Sequence, residues 1–454
     1  MSETATEHSA GRDEITAETA AVPTGDEFVA ADGPGSPAHR RSTLGWQLPA
    51  VWIATSVMFL MVTKGPVFRI RFEAAPLTGD FIDDRWVQGA FVLGALVVIS
   101  LCLPAVTTVR SDPLVLVTLA VVVGLVIVSG LWSVNSARTV EQGAMMAVGT
   151  AAALLAGASL SRLGLITALA AAMHAGVAAS LFSYWRDWPL AIDRNDDLAG
   201  VYFNRNSLGP VAVLAAATAI VLALHSVRAR RWGVAVLLGL VAVIDLWVWW
   251  LSGSLTPVFG VLVALLALGV FTLTLPGPRE VVRRRVAIGA GGGVTLVVVV
   301  GVISSGAIAT RLDRSPTLSG RTEIWDVVLQ FVGDRPVQGW GFMAAWTRPE
   351  IIDALGEQYG REVYEAHSGF MEMLLGVGII GLVALVVAYG VMLARIGAAA
   401  WRAPDALGLF LLGAGVYAVA VNFGETMVGA NLLPWILLVA LTGRAVAELG
   451  DVSS

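Results

Sequence analysis

The sequence predicts an all-α fold: a polytopic integral membrane bundle of about 12 transmembrane helices with one large extracytoplasmic loop. Three observations carry this. Hydrophobic residues make up 56% of the 454 residues and charged residues only 14%, and mean hydropathy is +0.76, whereas a soluble domain is roughly 25% charged. The charges gather in short runs between apolar stretches, most of them close to the roughly 20 residues that cross a hydrocarbon core. Apolar and polar residues do not alternate as they would in a transmembrane β-strand. The net charge of −5 is modest and calls for no nucleic-acid partner. The single cysteine, Cys102, lies in an apolar stretch and excludes an intrachain disulfide.

Residues 1–42 are acidic and rich in Ala, Thr, Glu, Gly and Pro. They cannot build a core and read as a disordered cytoplasmic tail; without a basic and then apolar start they do not read as a cleavable signal peptide. Residues 43–305 hold nine expected spans, at 46–63, 87–104, 113–131, 142–158, 163–182, 207–225, 232–251, 257–275 and 286–305. Residues 306–366 form the large loop, and 367–454 hold three further spans at 367–392, 406–421 and 432–447.

Arginine placement gives the orientation. His39-Arg40-Arg41, Arg110, Arg162, Arg228, Arg283, Arg395 and Arg402 fall on alternate sides from the long loop. Both termini are therefore expected in the cytoplasm, and segments 183–206, 252–256, 306–366 and 422–431 on the outer side of the membrane.

Asp245 and Glu372 are the clearest ionisable residues deep in spans, with His174 and His225 placed nearer span ends. That is thin material for a proton relay. No internal repeat is visible, so an inverted-repeat transporter is not suggested. Functional residue types gather instead at the outward ends of spans. Tyr202-Phe203-Asn204-Arg205-Asn206 precedes a span, with Asn206 or Ser207 as its expected cap. It reads either as a capped start with interfacial aromatics or as an anion site at a helix N-terminus. Ser252-Gly253-Ser254 is either an ordinary hairpin turn or a set of hydroxyls and amides facing a phosphate.

The long loop carries Arg311 and Arg314, then Ser319 as the expected cap of a helix starting near Arg321. Trp325, Val328, Leu329, Phe331 and Val332 give that helix an apolar face for the membrane or a neighbour. Gly333-Asp334-Arg335-Pro336 should end it. Trp340 follows in a turn suited to sugar stacking or interfacial anchoring. His367, at the mouth of the tenth span, is able to take a proton near neutral pH. Glu372 lies one to two turns further in, as a functional carboxylate or an ion-pair partner.

These stations, in order, resemble the O-antigen ligase / O-antigen polymerase superfamily of bacterial envelope glycosyltransferases. The resemblance rests on Ser129-Gly130-Leu131-Trp132-Ser133-Val134-Asn135, Phe203-Asn204-Arg205-Asn206-Ser207-Leu208-Gly209 and Leu251-Ser252-Gly253-Ser254. It continues through Ser319-Gly320-Arg321-Thr322-Glu323-Ile324-Trp325, Gly339-Trp340-Gly341-Phe342 and Ala366-His367-Ser368-Gly369-Phe370-Met371-Glu372 with Gly378-Ile379-Ile380-Gly381. It implies an enzyme that transfers a glycan from a polyprenyl-diphosphate carrier to a glycan or glycolipid acceptor hydroxyl, without a cofactor, nucleotide sugar or metal. Carried over, Arg321 contacts the diphosphate, His367 activates the acceptor and Arg205 adds phosphate binding, with Asn204 and Asn206 holding the site. Two positions depart from the family pattern: Ser368 stands where Asn is frequent, and Leu255 where Arg is frequent. The rival expectations are a peptidoglycan-type glycosyltransferase of the shape, elongation and division family, and a glycolipid flippase or exporter.

Overall fold

The computed structural model describes residues 47–63, 85–189, 191–193, 196–202, 204–275, 321–359, 364–425 and 433–450. The tail, the expected ninth span and Arg311, Arg314 and Ser319 lie outside the described residues. The described chain is helical: α1 (Gln47–Met61), α2 (Arg85–Cys102), α3 (Pro113–Val128), α4 (Ser136–Ser159), α5 (Arg162–Trp185), α6 (Arg205–Arg228), α7 (Trp232–Ser252) and α8 (Thr256–Thr274) precede the loop. The loop contains α9 (Arg321–Asp334) and α10 (Pro349–Tyr359), and α11 (Gly369–Arg402), α12 (Ala406–Gly424) and α13 (Leu433–Gly450) follow it. Among the described residues 10 helices are long and apolar enough to cross a membrane, and α1, with its apolar run Leu48–Met61, is shorter. The 10 coincide with the second to eighth and tenth to twelfth expected spans.

Several helix starts are fixed by their caps. Asp112 accepts from Val115 N ahead of Pro113, Asn135 from Arg138 N, and Ser161 from Gly164 N. Helix α6 corrects the expectation: it begins two residues earlier than read, and Asn204 is its cap, with Oδ1 accepting from Ser207 N at 2.9 Å. In α9 the buried stripe is Ile324, Val327, Val328 and Val332, while Leu329 is exposed. Val328 and Val332 of the expected face are buried and Trp325 and Phe331 pack against the core, so only Leu329 departs from it.

Small residues let the helices approach. A Cβ on Gly157 would meet Ala440 O at 1.8 Å, and one on Gly443 would meet Leu154 O at 2.1 Å, so α4 and α13 touch backbone to backbone. The end of the bundle away from His367 is tied by charge. Arg162 bonds Glu448, Asp405 and the carbonyls of Ala399 and Ala403, and Arg395 pairs with Asp112 at 2.5 Å.

Helix α11 is broken at Gly378, where φ is 71° and ψ is −167°. A break inside an apolar span frees backbone groups that need partners. The loop supplies them: Trp340 N donates to Leu375 O at 2.9 Å, Gly341 N donates to Gly376 O at 2.8 Å, and Ile379 N donates to Pro336 O at 2.9 Å. Such contact leaves no space for side chains. A Cβ on Gly378 would meet Val337 O at 2.1 Å, and one on Gly339 would meet Gly376 C at 2.5 Å. The same loop segment reaches the connection between α3 and α4 and the start of α4, where Phe342 N donates to Ser129 Oγ and Thr139 Oγ1 donates to Phe342 O. The loop is thus docked onto the helix that begins beside His367. Gly378→Ala should cost about 1–3 kcal/mol through positive φ and lost docking, read as a lower unfolding temperature of the detergent-purified protein.

Candidate functional site

Four helix ends meet at one place. Thr256 opens α8, Arg321 opens α9, His367 lies two residues before α11, and Glu425 caps the end of α12. Helices α11 and α12 are pinned there by Gly369 N donating to Glu425 O at 3.2 Å. Position 369 needs glycine, because a Cβ would meet Asn422 Oδ1 at 2.0 Å.

The buried Glu425 carboxylate is the hub. Its Oε1 accepts a short bond from Arg321 Nη2 and one from Thr256 Oγ1 at 3.4 Å. Its Oε2 lies 3.4 Å from His367 Nδ1, and Glu365 Oε1 lies 3.3 Å from the same nitrogen. Arg321 Nη2 also donates to Thr256 Oγ1 at 3.3 Å, while its Nε is buried without a partner among the described residues. His367 itself sits at φ 48°, a left-handed conformation rare for a side-chain-bearing residue and concentrated at functional sites.

Burial alone would push the His367 pKa down, yet the charge of Glu365 and the bond and charge of Glu425 outweigh it, against a smaller opposing effect of Arg321, so the pKa rises above 6.5. Burial would push Glu425 up, but His367 and Arg321 hold its carboxyl below the ordinary 4.5. Glu425 is therefore ionised at neutral pH. With Nδ1 facing carboxylates, the neutral imidazole carries its proton on Nδ1, which leaves Nε2 as the proton acceptor. Glu365, His367 and Glu425 could also hold a metal ion, since one ligand atom from each lies within 4.8 Å of the others. The Arg321 guanidinium already supplies positive charge at the same carboxylate.

A cleft opens beside the hub. Asn204, Asn206, Ser207, Glu365 and Glu425 line its polar part. Its apolar wall comes from α6 (Pro210, Val211, Leu214), α12 (Tyr417, Ala418, Val421) and α13 (Leu433, Pro434, Leu437), each helix repeating one spacing. Ser254 Oγ donates to Asn206 Oδ1 at 3.2 Å, joining the hairpin turn to the polar wall. Ser252 supports that turn by bonding Trp249 O at 2.6 Å.

The structure thus brings together Arg321 and His367, and places Asn204 and Asn206 along the adjoining cleft, with Ser254 bonded to Asn206. Other expected site residues sit differently. Arg205 pairs with Asp197 and lies 3.9 Å from Asp193, so its charge is committed to acids of its own loop. Trp340 is not open to a sugar: it is buried, it donates to Phe331 O, and the guanidiniums of Arg335 and Arg348 lie 4.2 and 4.5 Å from its ring. Glu372 is buried with its two oxygens on Ala366 N and Trp346 Nε1. Arg314 lies outside the described residues. His174 lies mid-helix rather than near a span end, and its Nε2 is 3.0 Å from Asp245 Oδ2. Glu425 was not singled out from sequence. The available signal for Glu425 was a lone acid closing an apolar span at the same end as His367.

Fold and site define a polytopic helical membrane protein with a charged cluster at one end of its bundle. Residues 240–386, under half of the chain, match the family model for O-antigen ligase. The matched stretch runs from within α7 to within α11 and includes Thr256, Arg321, His367 and Glu372, while Asn204 and Glu425 fall outside it. No curated protein matches the chain.

Two of the charges around His367 give predictions of opposite sign. Glu365→Gln should lower the pH at which His367 titrates, and Arg321→Gln should raise it. Histidine-selective NMR of the full-length protein reads both.

Proposed function

We propose that this protein transfers a glycan from a polyprenyl-diphosphate carrier to an acceptor hydroxyl at the outer face of a bacterial cytoplasmic membrane, with both termini in the cytoplasm. The observation that carries the reading is the convergence of Arg321, Glu425 and His367 at a polar cleft with apolar walls. The polar part suits a diphosphate and sugar, and the apolar walls suit an isoprenoid chain.

In the reaction, His367 Nε2 takes the proton of the acceptor hydroxyl. The acceptor oxygen bonds to the anomeric carbon, the bond from that carbon to the diphosphate oxygen breaks, and the electron pair leaves on the diphosphate. Glu425 and Glu365 stabilise the imidazolium that forms. Arg321 offers the leaving group a permanent charge and a buried N–H that has no partner among the described residues. An unpaired buried donor costs about 1–3 kcal/mol, which a phosphate oxygen would offset. Arg205 is held by Asp193 and Asp197, so diphosphate contact by it requires release from those acids. Ligase and polymerase activities share this chemistry and differ in acceptor.

The flippase reading draws on one observation, the His174–Asp245 pair in the spans. A transporter would keep function after Arg321→Ala, whereas a transferase would not. Arg321→Ala and His367→Ala, at equal membrane levels in the native host, should each accumulate lipid-linked glycan and deplete finished surface glycan. For His367→Ala, transfer by the purified protein should fall about 10²–10⁴-fold. Transfer by wild type should rise with pH through a midpoint above 6.5, because the base must be neutral and its pKa is raised.

A further inference from the structure

The backbone of Ala366, the residue in front of His367, is held at both its N–H and its C=O by side chains. Ala366 N donates to Glu372 Oε1 at 2.6 Å, and Ala366 O accepts from Trp325 Nε1 at 2.9 Å. The second Glu372 oxygen accepts from Trp346 Nε1 at 2.8 Å, which fixes the carboxylate in turn. Ala366 is fully buried, so these bonds satisfy backbone groups that no solvent reaches. The very next residue is His367 at φ 48°. A bend that only reversed the chain would favour glycine or asparagine at that φ. Here the bend carries an imidazole, so the backbone is held by its surroundings rather than by its own preference.

The bonds also connect the two halves of the site. Trp325 is one turn after Arg321 on α9, and Glu372 is in the first turn of α11. Resting on the reading of His367 as base, we propose that Glu372 and Trp325 are positioning residues. They clamp the Ala366 backbone at its N–H and C=O, force the left-handed backbone at His367 and so set the imidazole against Glu425 and Arg321. Glu372 then acts through His367 rather than on the substrate.

The test is a double-mutant cycle on the full-length protein in membranes with a lipid-linked glycan donor. Glu372→Gln keeps the volume but turns one amide N–H toward a donor. Trp325→Phe keeps an aromatic ring and deletes only the indole N–H. Each should lower kcat about 10- to 100-fold with KM little changed, as expected for a misplaced catalytic group. In a His367→Ala background neither should lower the residual rate further, because both act through His367. Each should also lower the pH at which His367 titrates by NMR, since the ring turns from Glu365 and Glu425. Wild-type rates in the single variants, a further loss in the His367→Ala background, or an unmoved titration would overturn the proposal. If His367→Ala itself transfers at the wild-type rate, the base assignment has failed, and the positioning role falls with it.

Discussion

A single buried carboxylate, Glu425, touches both the cation and the histidine of the site, and the arrangement around it depends on that sharing. Arg321 opens a loop helix, Thr256 opens α8, and His367 precedes α11, so no two of these residues come from one element. Each arrives through a different connection, and the carboxylate holds them together. Removing one partner of such a buried pair costs about 3–5 kcal/mol, because the charge left behind is uncompensated. Site assembly and local stability are therefore coupled at this point. The same coupling puts positive charge next to the imidazole without a direct bond between Arg321 and His367.

Around the hub, the large loop behaves as part of the bundle. Its segment through Gly339 and Gly341 completes the hydrogen bonding of the broken helix α11. A break in an apolar span is tolerable only where protein supplies the missing partners. The break and the loop thus require one another, and together they bring α9 with Arg321 to the start of α11 with His367. Glycines at 339, 376 and 378 are what the close approach demands.

Much of this was legible in the sequence. Length and apolarity located 10 of the spans now seen, because a bilayer imposes one length on every crossing helix. Arg321 and His367 were legible as polar residue types at the boundary of apolar segments. What could not be read was pairing across long separations. Glu425 is 104 residues from Arg321 and carries no local motif. Arg205 read as a phosphate contact because its salt-bridge partners, Asp193 and Asp197, become partners only when their loop folds back. Trp340 read as a sugar platform because burial of its ring depends on loop docking. The α6 cap was misplaced by two residues, an error of local geometry, since Asn204 and Asn206 are equally able to cap.

The most direct test of the account is reconstitution of the purified protein in liposomes with a defined polyprenyl-diphosphate glycan and a hydroxyl acceptor. Two products are followed, glycosylated acceptor and free polyprenyl diphosphate. The account predicts that both appear in equal amounts and that Glu425→Ala abolishes both together. Movement of intact lipid-linked glycan between leaflets, with no glycosylated acceptor formed, would contradict it.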